Sequence, residues 1–274
     1  MLLSLLFASL VACCTSTPLD ARHGEAIYGG HIVSDHRFPF QILFIRSDVG
    51  HFCGGTLLNS RYVLTAAHCV EMMKVAKTTV YAGVLDVLNL ADQHVQSSFI
   101  KSMTTHVDWD ANTVQNDIGI IELESEFTFT DSVKPIAIKE DEKFSEIDDE
   151  TVYIVGFGAV HYSEENPTKS RYLRYTNVKI TDRETCNQLW SAVDNTVITS
   201  SQVCTTSKGK GMLPGDSGGP LLYMVNDFPE WLQIGITSFL TLPDYQSLPN
   251  VYTKVSSYCK WIAEVTNESY KCKE

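Results

Sequence analysis

The sequence predicts an all-β fold, an antiparallel sandwich or barrel that ends in one helix. Short runs rich in β-branched and aromatic residues recur along the chain, and turn-forming residues separate them. Helical spacing is found at the end, where an amphipathic helix is predicted from Val255, Tyr258, Trp261, Ile262 and Val265. No repeat or long linker interrupts this pattern.

Eight of these runs are predicted to be strands, at residues 41–45, 62–65, 78–82, 118–123, 152–155, 221–224, 232–236 and 251–255. The acidic segment at residues 139–150, KEDEKFSEIDDE, is the predicted boundary between two β-units. It also fits a solvated surface loop, and the two interpretations are compatible.

Composition and charge exclude several classes of protein. The 274 residues are 44% hydrophobic and 20% charged, which is typical of a soluble globular protein and excludes disordered, collagenous and coiled-coil chains. The formal net charge is −12. Because an acidic chain repels phosphate groups, we expect no nucleic acid partner and no anionic membrane partner.

The N-terminus predicts secretion. Residues 1–12 form an apolar run that is too short to cross a bilayer, which needs about 20 residues. A signal peptide over residues 1–16 is predicted. A buried N-terminal segment is one alternative, and a lipoprotein signal at LVAC (residues 10–13) is another, although no basic residue precedes the run. The mature chain contains no further stretch long enough to anchor it in a membrane.

Six cysteines remain after this signal: Cys53, Cys69, Cys186, Cys204, Cys259 and Cys272. An even number in a secreted chain predicts three disulfides, and six cysteines allow about 15 connectivities. No CxxC pair or Cys/His cluster has the spacing of zinc ligands, so neither a metal nor another cofactor is predicted.

Three segments carry groups that could do chemistry. They are LTAAHC with His68, ND with Asp117, and GDSGGP with Ser217. Taken separately, each has a structural explanation: a satisfied core histidine, a turn or cap aspartate, and a tight turn. Together they supply a nucleophile, a base and the carboxylate that orients the base. The glycines beside Ser217 would let the amides of Gly215 and Ser217 hold an oxyanion.

With these motifs, the chain from about Ile27 to the terminal helix resembles the chymotrypsin-like serine endopeptidases. The order His, Asp, Ser is that of the family. The resemblance implies two packed six-stranded antiparallel β-barrels and a C-terminal helix, with His68 and Asp117 in the first barrel and Ser217 in the second. Residues 17–26 are predicted to be a propeptide and residues 27–274 the peptidase domain. Within this domain the predicted parts are the first β-barrel (27–145), the second β-barrel (146–254) and the C-terminal helix with its tail (255–274).

The resemblance also implies two disulfides, Cys53–Cys69 beside the histidine and Cys186–Cys204 below the specificity pocket. Cys259 and Cys272 are left over. On one straight helix they would lie roughly 20 Å apart, too far to bond. Either the chain turns back after the helix, or one or both thiols have another role.

The segment IYGG that begins at Ile27 resembles the mature N-terminus of the family. A cut before Ile27 would free an ammonium group that pairs with Asp216. That cut would follow Ala26, which implies an activating protease that prefers small residues; trimming after Arg22 is the alternative. Protein or peptide substrates, protein inhibitors and a monomeric state are also expected.

The resemblance places Gly211 at the base of the pocket for P1, the substrate residue before the cut bond. Leu240 and Asn250 would form its walls, and the backbone of Ser238–Leu240, which includes Phe239, would pair with the substrate as an added strand. With no carboxylate at the base, an apolar or neutral P1 residue is predicted, and Leu240 would favour Leu or Met over Trp.

Asp244 is the acidic residue that could still reach into this pocket. Asn267 lies in the sequon NES, which predicts glycosylation.

Two other functions were weighed. A catalytically silent relative that binds or regulates proteases is the alternative, but such relatives usually lack a triad residue, and all three are present here. A lipase-type esterase is excluded because its G-x-S-x-G serine lies between a strand and a helix of an α/β fold.

Overall fold

The computed structural model describes residues 27–141, 143–161, 168–225, 230–242, 244 and 246–274. The predicted signal peptide and propeptide, residues 1–26, lie outside the described residues. Among the described residues, no helix has both the length and the apolar character needed to cross a membrane.

The first half of the chain forms a closed antiparallel barrel of six strands. In spatial order the strands are β2 (Gln41–Arg46), β3 (Gly50–Leu57), β4 (Tyr62–Thr65), β7 (Gly119–Leu123), β6 (Gln96–Thr105) and β5 (Thr78–Ala82). The barrel closes because β5 pairs with both β6 and β2. A short helix, α1 (Ala67–Met72), follows β4 directly.

The second half forms another six-stranded antiparallel barrel. Its strands in spatial order are β11 (Arg174–Thr181), β12 (Gln202–Thr206), β15 (Asn250–Lys254), β14 (Glu230–Phe239), β13 (Pro220–Val225) and β8 (Thr151–Gly156). Pairing of β8 with β11 closes it. A short strand, β1 (His31–Ile32), is added outside β11, and β9 (Ala159–His161) pairs with β10 (Thr168–Lys169). The two-barrel, all-β fold is therefore confirmed.

All eight predicted runs are strands, but four barrel strands carry no prediction: β3, β6, β11 and β12. Strand β6 is largely solvent-exposed, and β11 alternates buried and half-buried residues with many polar side chains. Neither strand therefore contains a continuous apolar run. Strand β3 is interrupted by a pair of glycines, which are unfavourable in strands.

The expectation that only the end of the chain is helical is wrong. Helix α2 (Arg183–Asp194) lies between β11 and β12. It begins after Asp182, whose side chain accepts a hydrogen bond from the Thr185 amide, and it ends at Asn195 in the left-handed conformation. Because the sequence of this helix is polar, it shows no clear helical spacing of apolar residues. The two capping residues are nevertheless a local sequence signal for a helix. Three-residue 3₁₀ turns occur at Val75–Lys77 and Phe144–Glu146.

The C-terminal segment turns back on itself. A 3₁₀ turn (Val255–Tyr258) leads into α3 (Cys259–Val265), and Asn267 and Glu268 then adopt positive φ angles of 52° and 61°. This reversal brings Cys272 to a Cα–Cα distance of 5.7 Å from Cys259, and the two form a disulfide. Of the two possibilities left open by the sequence, the chain reversal is the one observed. The other disulfides are Cys53–Cys69 and Cys186–Cys204.

The tail, residues 270–274, packs along the inter-barrel segment, residues 136–140. The Lys273 amide donates to the Ile138 carbonyl at 2.7 Å, and the Glu140 amide donates to the Lys273 carbonyl at 2.9 Å. The Tyr270 hydroxyl donates to the Ile136 carbonyl at 3.0 Å. The disulfide therefore holds a tail that packs along the inter-barrel segment.

Replacing both Cys259 and Cys272 by Ala should lower the free energy of unfolding by about 3 kcal/mol, because the disulfide closes a 13-residue separation. Urea unfolding of the double variant and of its parent measures the change. A double variant as stable as its parent would show that the tail stays in place without the disulfide.

Candidate active site

The centre of the site is a buried carboxylate that binds a histidine twice. Asp117 is fully buried. Its Oδ1 accepts the His68 backbone amide at 2.9 Å, and its Oδ2 lies 2.8 Å from His68 Nδ1. Because a carboxylate only accepts hydrogen bonds, the neutral imidazole carries its proton on Nδ1 and presents the lone pair on Nε2.

Strand pairing in the first barrel brings these two residues together. Strand β4 ends at Thr65, three residues before His68, and β7 begins at Gly119, two residues after Asp117. Thr65 and Gly119 are direct partners in the antiparallel ladder. The register therefore places both functional side chains at the same end of the same pair of strands.

The second barrel completes the surroundings of Asp117. The Ser238 hydroxyl donates to Asp117 Oδ2 at 2.6 Å, and the Thr253 hydroxyl donates to the Asp117 carbonyl at 2.8 Å. The ladder between β14 and β15 shifts register between Thr237 and Phe239, where Ser238 is the extra residue. The sequence named Ser238 as a substrate-strand residue and missed both hydrogen bonds, since no local pattern links residues 121 positions apart.

The loop of Ser217 packs directly against the histidine segment. The Gly54 amide donates to the Ser217 carbonyl at 2.8 Å. Gly218 has a φ of +77°, and a Cβ atom there would lie 2.2 Å from Thr65 Oγ1. Glycine is therefore required at this position, and Ser217 lies beside the residues that immediately precede His68. The Ser217 loop of the second barrel therefore packs against the segment that leads to His68, at the contact between the barrels.

Two amides of this loop remain available for a ligand. Gly215 has a φ of +102°, and a Cβ atom there would approach the Gly158 Cα to 3.1 Å. The flanking amides are used, since the Asp216 amide donates to the Leu213 carbonyl and the Gly218 amide donates to the Thr237 carbonyl. Within the described part of the chain, the amides of Gly215 and Ser217 have no acceptor. Both can therefore donate to an incoming oxygen.

Asp216 is a second buried carboxylate. Its Oδ1 accepts the Gly158 amide at 2.8 Å and its Oδ2 accepts the Leu213 amide at 2.9 Å. Burial raises the pKa of Asp216 to about 7, although the two amides oppose the shift. No cationic side chain pairs with it among the residues that the structure describes.

The N-terminal segment is inserted into the second barrel. Ile27 is fully buried in that core, and its carbonyl accepts the Gly30 amide at 2.7 Å. Tyr28 forms an antiparallel bridge with Gly211, whose amide donates to the Tyr28 carbonyl at 3.1 Å. The segment is thus joined to the loop that leads to Ser217.

The residues predicted for the specificity pocket lie in two groups. Asn250 is 6% exposed, its Oδ1 accepts the Met212 amide at 3.2 Å, and a Cβ atom on Gly211 would lie 2.8 Å from that oxygen. Asn250 therefore faces Gly211. Phe239 packs edge-on against Trp190 at 5.1 Å between ring centroids, and Leu240 beside it is half-buried. Trp190 was not among the predicted site residues, because the helix that carries it was not predicted.

Asp244 does not add a carboxylate to this region. It is exposed, and its side chain accepts the Gln246 amide at 3.4 Å within a surface turn.

One group among the described residues has metal-ligand atoms close together: Cys53, His68 and Cys69. Both sulfurs belong to the Cys53–Cys69 disulfide, and Cys69 Sγ lies 3.6 Å from His68 Nε2. A disulfide offers no thiolate, so this group does not fit a metal ion.

Two barrels with a histidine–aspartate pair from one and a glycine-flanked serine loop from the other define a serine protease of the two-barrel class. The sequence matches the family model described as Trypsin over residues 27–262. The chain therefore belongs to the trypsin family of chymotrypsin-like serine proteases, which are hydrolases that act on proteins.

Two relatives carry chymotrypsin names. The chain is 32% identical over 243 residues to "Chymotrypsin" from Phaedon cochleariae, which covers 86% of this chain and 80% of the relative. It is 31% identical over 238 residues to "Chymotrypsin-2" from Vespa crabro, which covers 86% of this chain and 98% of the relative.

Before any cut at Ile27, the contribution of Asp216 to the stability of the chain should fall as the pH rises from about 4 to about 7. The pKa of Asp216 is raised to about 7 in the folded protein from a model value of 3.8. In that window the unfolded chain releases a proton that the folded chain keeps, which favours unfolding. Urea unfolding of the precursor, with Ser217→Ala to prevent self-digestion, measures this.

The control is Asp216→Asn in the same background. This variant loses one acceptor at every pH, but its stability should depend less on pH across the window. Identical slopes for the two proteins would show that Asp216 is not the group that titrates.

Proposed function

We propose that this chain is a secreted serine endopeptidase that cleaves peptide bonds through an acyl-enzyme. Ser217 is the nucleophile, His68 the general base and acid, and Asp117 the group that orients His68. The observation that carries this proposal is the doubly bonded, fully buried Asp117–His68 pair beside the Ser217 loop.

The reaction follows from these positions. Ser217 Oγ attacks the substrate carbonyl carbon while His68 Nε2 takes the hydroxyl proton, and the carbonyl oxygen becomes an oxyanion that accepts the Gly215 and Ser217 amides. The tetrahedral intermediate then collapses, and the leaving amine takes the proton from His68. Water, deprotonated by His68, hydrolyses the acyl-enzyme in the same way. Asp117 keeps its charge throughout and stabilises the imidazolium.

Activation is proposed to occur by cleavage before Ile27. The new ammonium group would lie in the pocket that already buries Ile27 and would form an ion pair with Asp216. Support comes from Asp216 itself, a buried carboxylate without a cationic partner in the described residues, which a nearby positive charge would stabilise in its ionised form. The bridge between Tyr28 and Gly211 would transmit the inserted position to the loop of Gly215.

An apolar or neutral P1 residue is proposed because Gly211 would form the base of the pocket and the side-chain amide of Asn250, which faces Gly211, would form a wall. Leu240 would shorten the pocket. The exposed position of Asp244 supports the absence of a carboxylate that could bind Lys or Arg.

Secretion is proposed from the apolar N-terminus and from the three disulfides, since disulfides persist in oxidising compartments. A silent homologue would need a defect in the site, and no observation on the described residues favours one.

A fluorophosphonate probe should label the wild-type enzyme and fail to label Ser217→Ala, because the probe needs an activated serine hydroxyl. Ser98→Ala is the control, since Ser98 is a buried serine of the first barrel whose hydroxyl donates to the Phe99 carbonyl. N-terminal sequencing of the labelled fraction should begin at Ile27. Labelling of Ser217→Ala would contradict the assignment, and a start at His23 would place the cut after Arg22.

Replacing Leu240 by Gly should raise kcat/KM for P1 Phe relative to P1 Leu by about tenfold, because a pocket wall that loses a side chain admits a larger ring. Cleavage-site profiling of wild type and variant on a denatured protein mixture measures both preferences. A wild-type preference for P1 Arg would refute the neutral pocket.

A further inference from the structure

The loop that carries Asp117 is bonded to the second barrel through a glutamine that the triad does not include. We propose that Gln115 is a positioning residue: its side-chain amide fastens the Asp117 loop to the second barrel and so holds the carboxylate in register with His68. This inference rests on the proposed function of that site.

Every polar group of the Gln115 side chain has a partner on the second barrel. Its Nε2 donates to the Val197 carbonyl at 3.0 Å and lies 3.3 Å from Gln202 Oε1. Its Oε1 accepts the Thr199 hydroxyl at 2.9 Å. These partners follow α2 and enter β12, so one side chain from the first barrel joins a continuous segment of the second.

Gln202 extends this network into the barrel wall. It is 6% exposed, and its Oε1 also accepts the Thr199 amide at 3.0 Å. In the β12–β15 ladder Gln202 is the direct partner of Thr253, whose hydroxyl binds the Asp117 carbonyl. Gln202 and Thr253 are therefore neighbours in the second barrel that bind two positions of the Asp117 loop, the Gln115 side chain and the Asp117 carbonyl.

The backbone of this loop requires such support. Val114 and Asn116, which flank Gln115, have φ angles of +52° and +57°. A β-branched residue is strained in the left-handed region, and such strain persists only where surrounding contacts impose it. The bonds of Gln115 are among those contacts, as are the Tyr258 hydroxyl, which donates to Asn116 Oδ1 at 3.0 Å, and the Asn116 side-chain amide, which donates to the Asp108 carbonyl at 2.8 Å. Without Gln115 the loop would relax and displace Asp117.

Gln115→Ala should lower kcat by about tenfold with little change in KM, because a small displacement of a catalytic group costs rate more than binding. Gln96→Ala is the matched control. Its side-chain amide makes two hydrogen bonds, both to the Thr128 backbone in the first barrel, and none to the described residues of the second barrel. The control should keep the wild-type kcat, even if its melting temperature falls as far as that of Gln115→Ala.

Two further variants separate positioning from general stability. In an Asp117→Asn background, Gln115→Ala should cause no further loss, because a residue that acts through Asp117 has nothing left to position. Val114→Gly should restore part of the kcat of Gln115→Ala, because glycine adopts the left-handed conformation without strain. An equal further loss in the Asp117→Asn background would overturn the proposal.

Hydrogen exchange gives a readout that does not need activity. In a Ser217→Ala background, Gln115→Ala should accelerate amide exchange in residues 112–118 but not around the serine loop. Unchanged exchange there would overturn the proposal. If Gln115→Ala keeps the wild-type kcat while Ser217→Ala is inactive, the positioning role fails and the proposed function stands. An inactive wild type would reject the proposed function, while exchange still decides the role of Gln115.

Discussion

The burial of Asp117 is the constraint on which the rest of the site depends. An ionised carboxylate inside a protein is strongly unfavourable unless hydrogen bonds replace its lost water. Here the donors come from both barrels, two from His68 in the first and one from Ser238 in the second. Neither barrel alone satisfies the charge. The hydrogen bonds to Asp117 therefore couple the packing of the two barrels to the orientation of His68.

This constraint explains why glycines are concentrated where the barrels touch. Gly218 lies so close to Thr65 and Gly54 that any side chain would separate the serine loop from the histidine segment. Within the second half of the chain, Gly158 leaves room for another buried side chain, since a Cβ atom there would lie 2.4 Å from a carboxylate oxygen of Asp216. The close approach of backbones lets short loops from different barrels share one small volume.

The sequence predicted the antiparallel β-architecture and named the candidate catalytic groups, because both leave local signals. His68, Asp117 and Ser217 lie in short motifs, and the buried strands are continuous apolar runs such as residues 118–123. The sequence could not predict the contacts between residues that lie far apart along the chain. The bond from Ser238 to Asp117, the network around Gln115 and the bridge from Lys273 to residue 139 join positions with no pattern in common. Exposed strands and the polar helix α2 were missed because their residues face water as well as the core.

The tail that runs along the inter-barrel segment has a consequence for the order of assembly. The Ile138 carbonyl and the Glu140 amide both form hydrogen bonds with the backbone of Lys273. The ribosome adds Lys273 only after the entire second barrel. During synthesis this connecting stretch leaves the ribosome long before its partner exists. The first barrel can close early, but the connection between the two halves is finished only by residues at the far end of the chain.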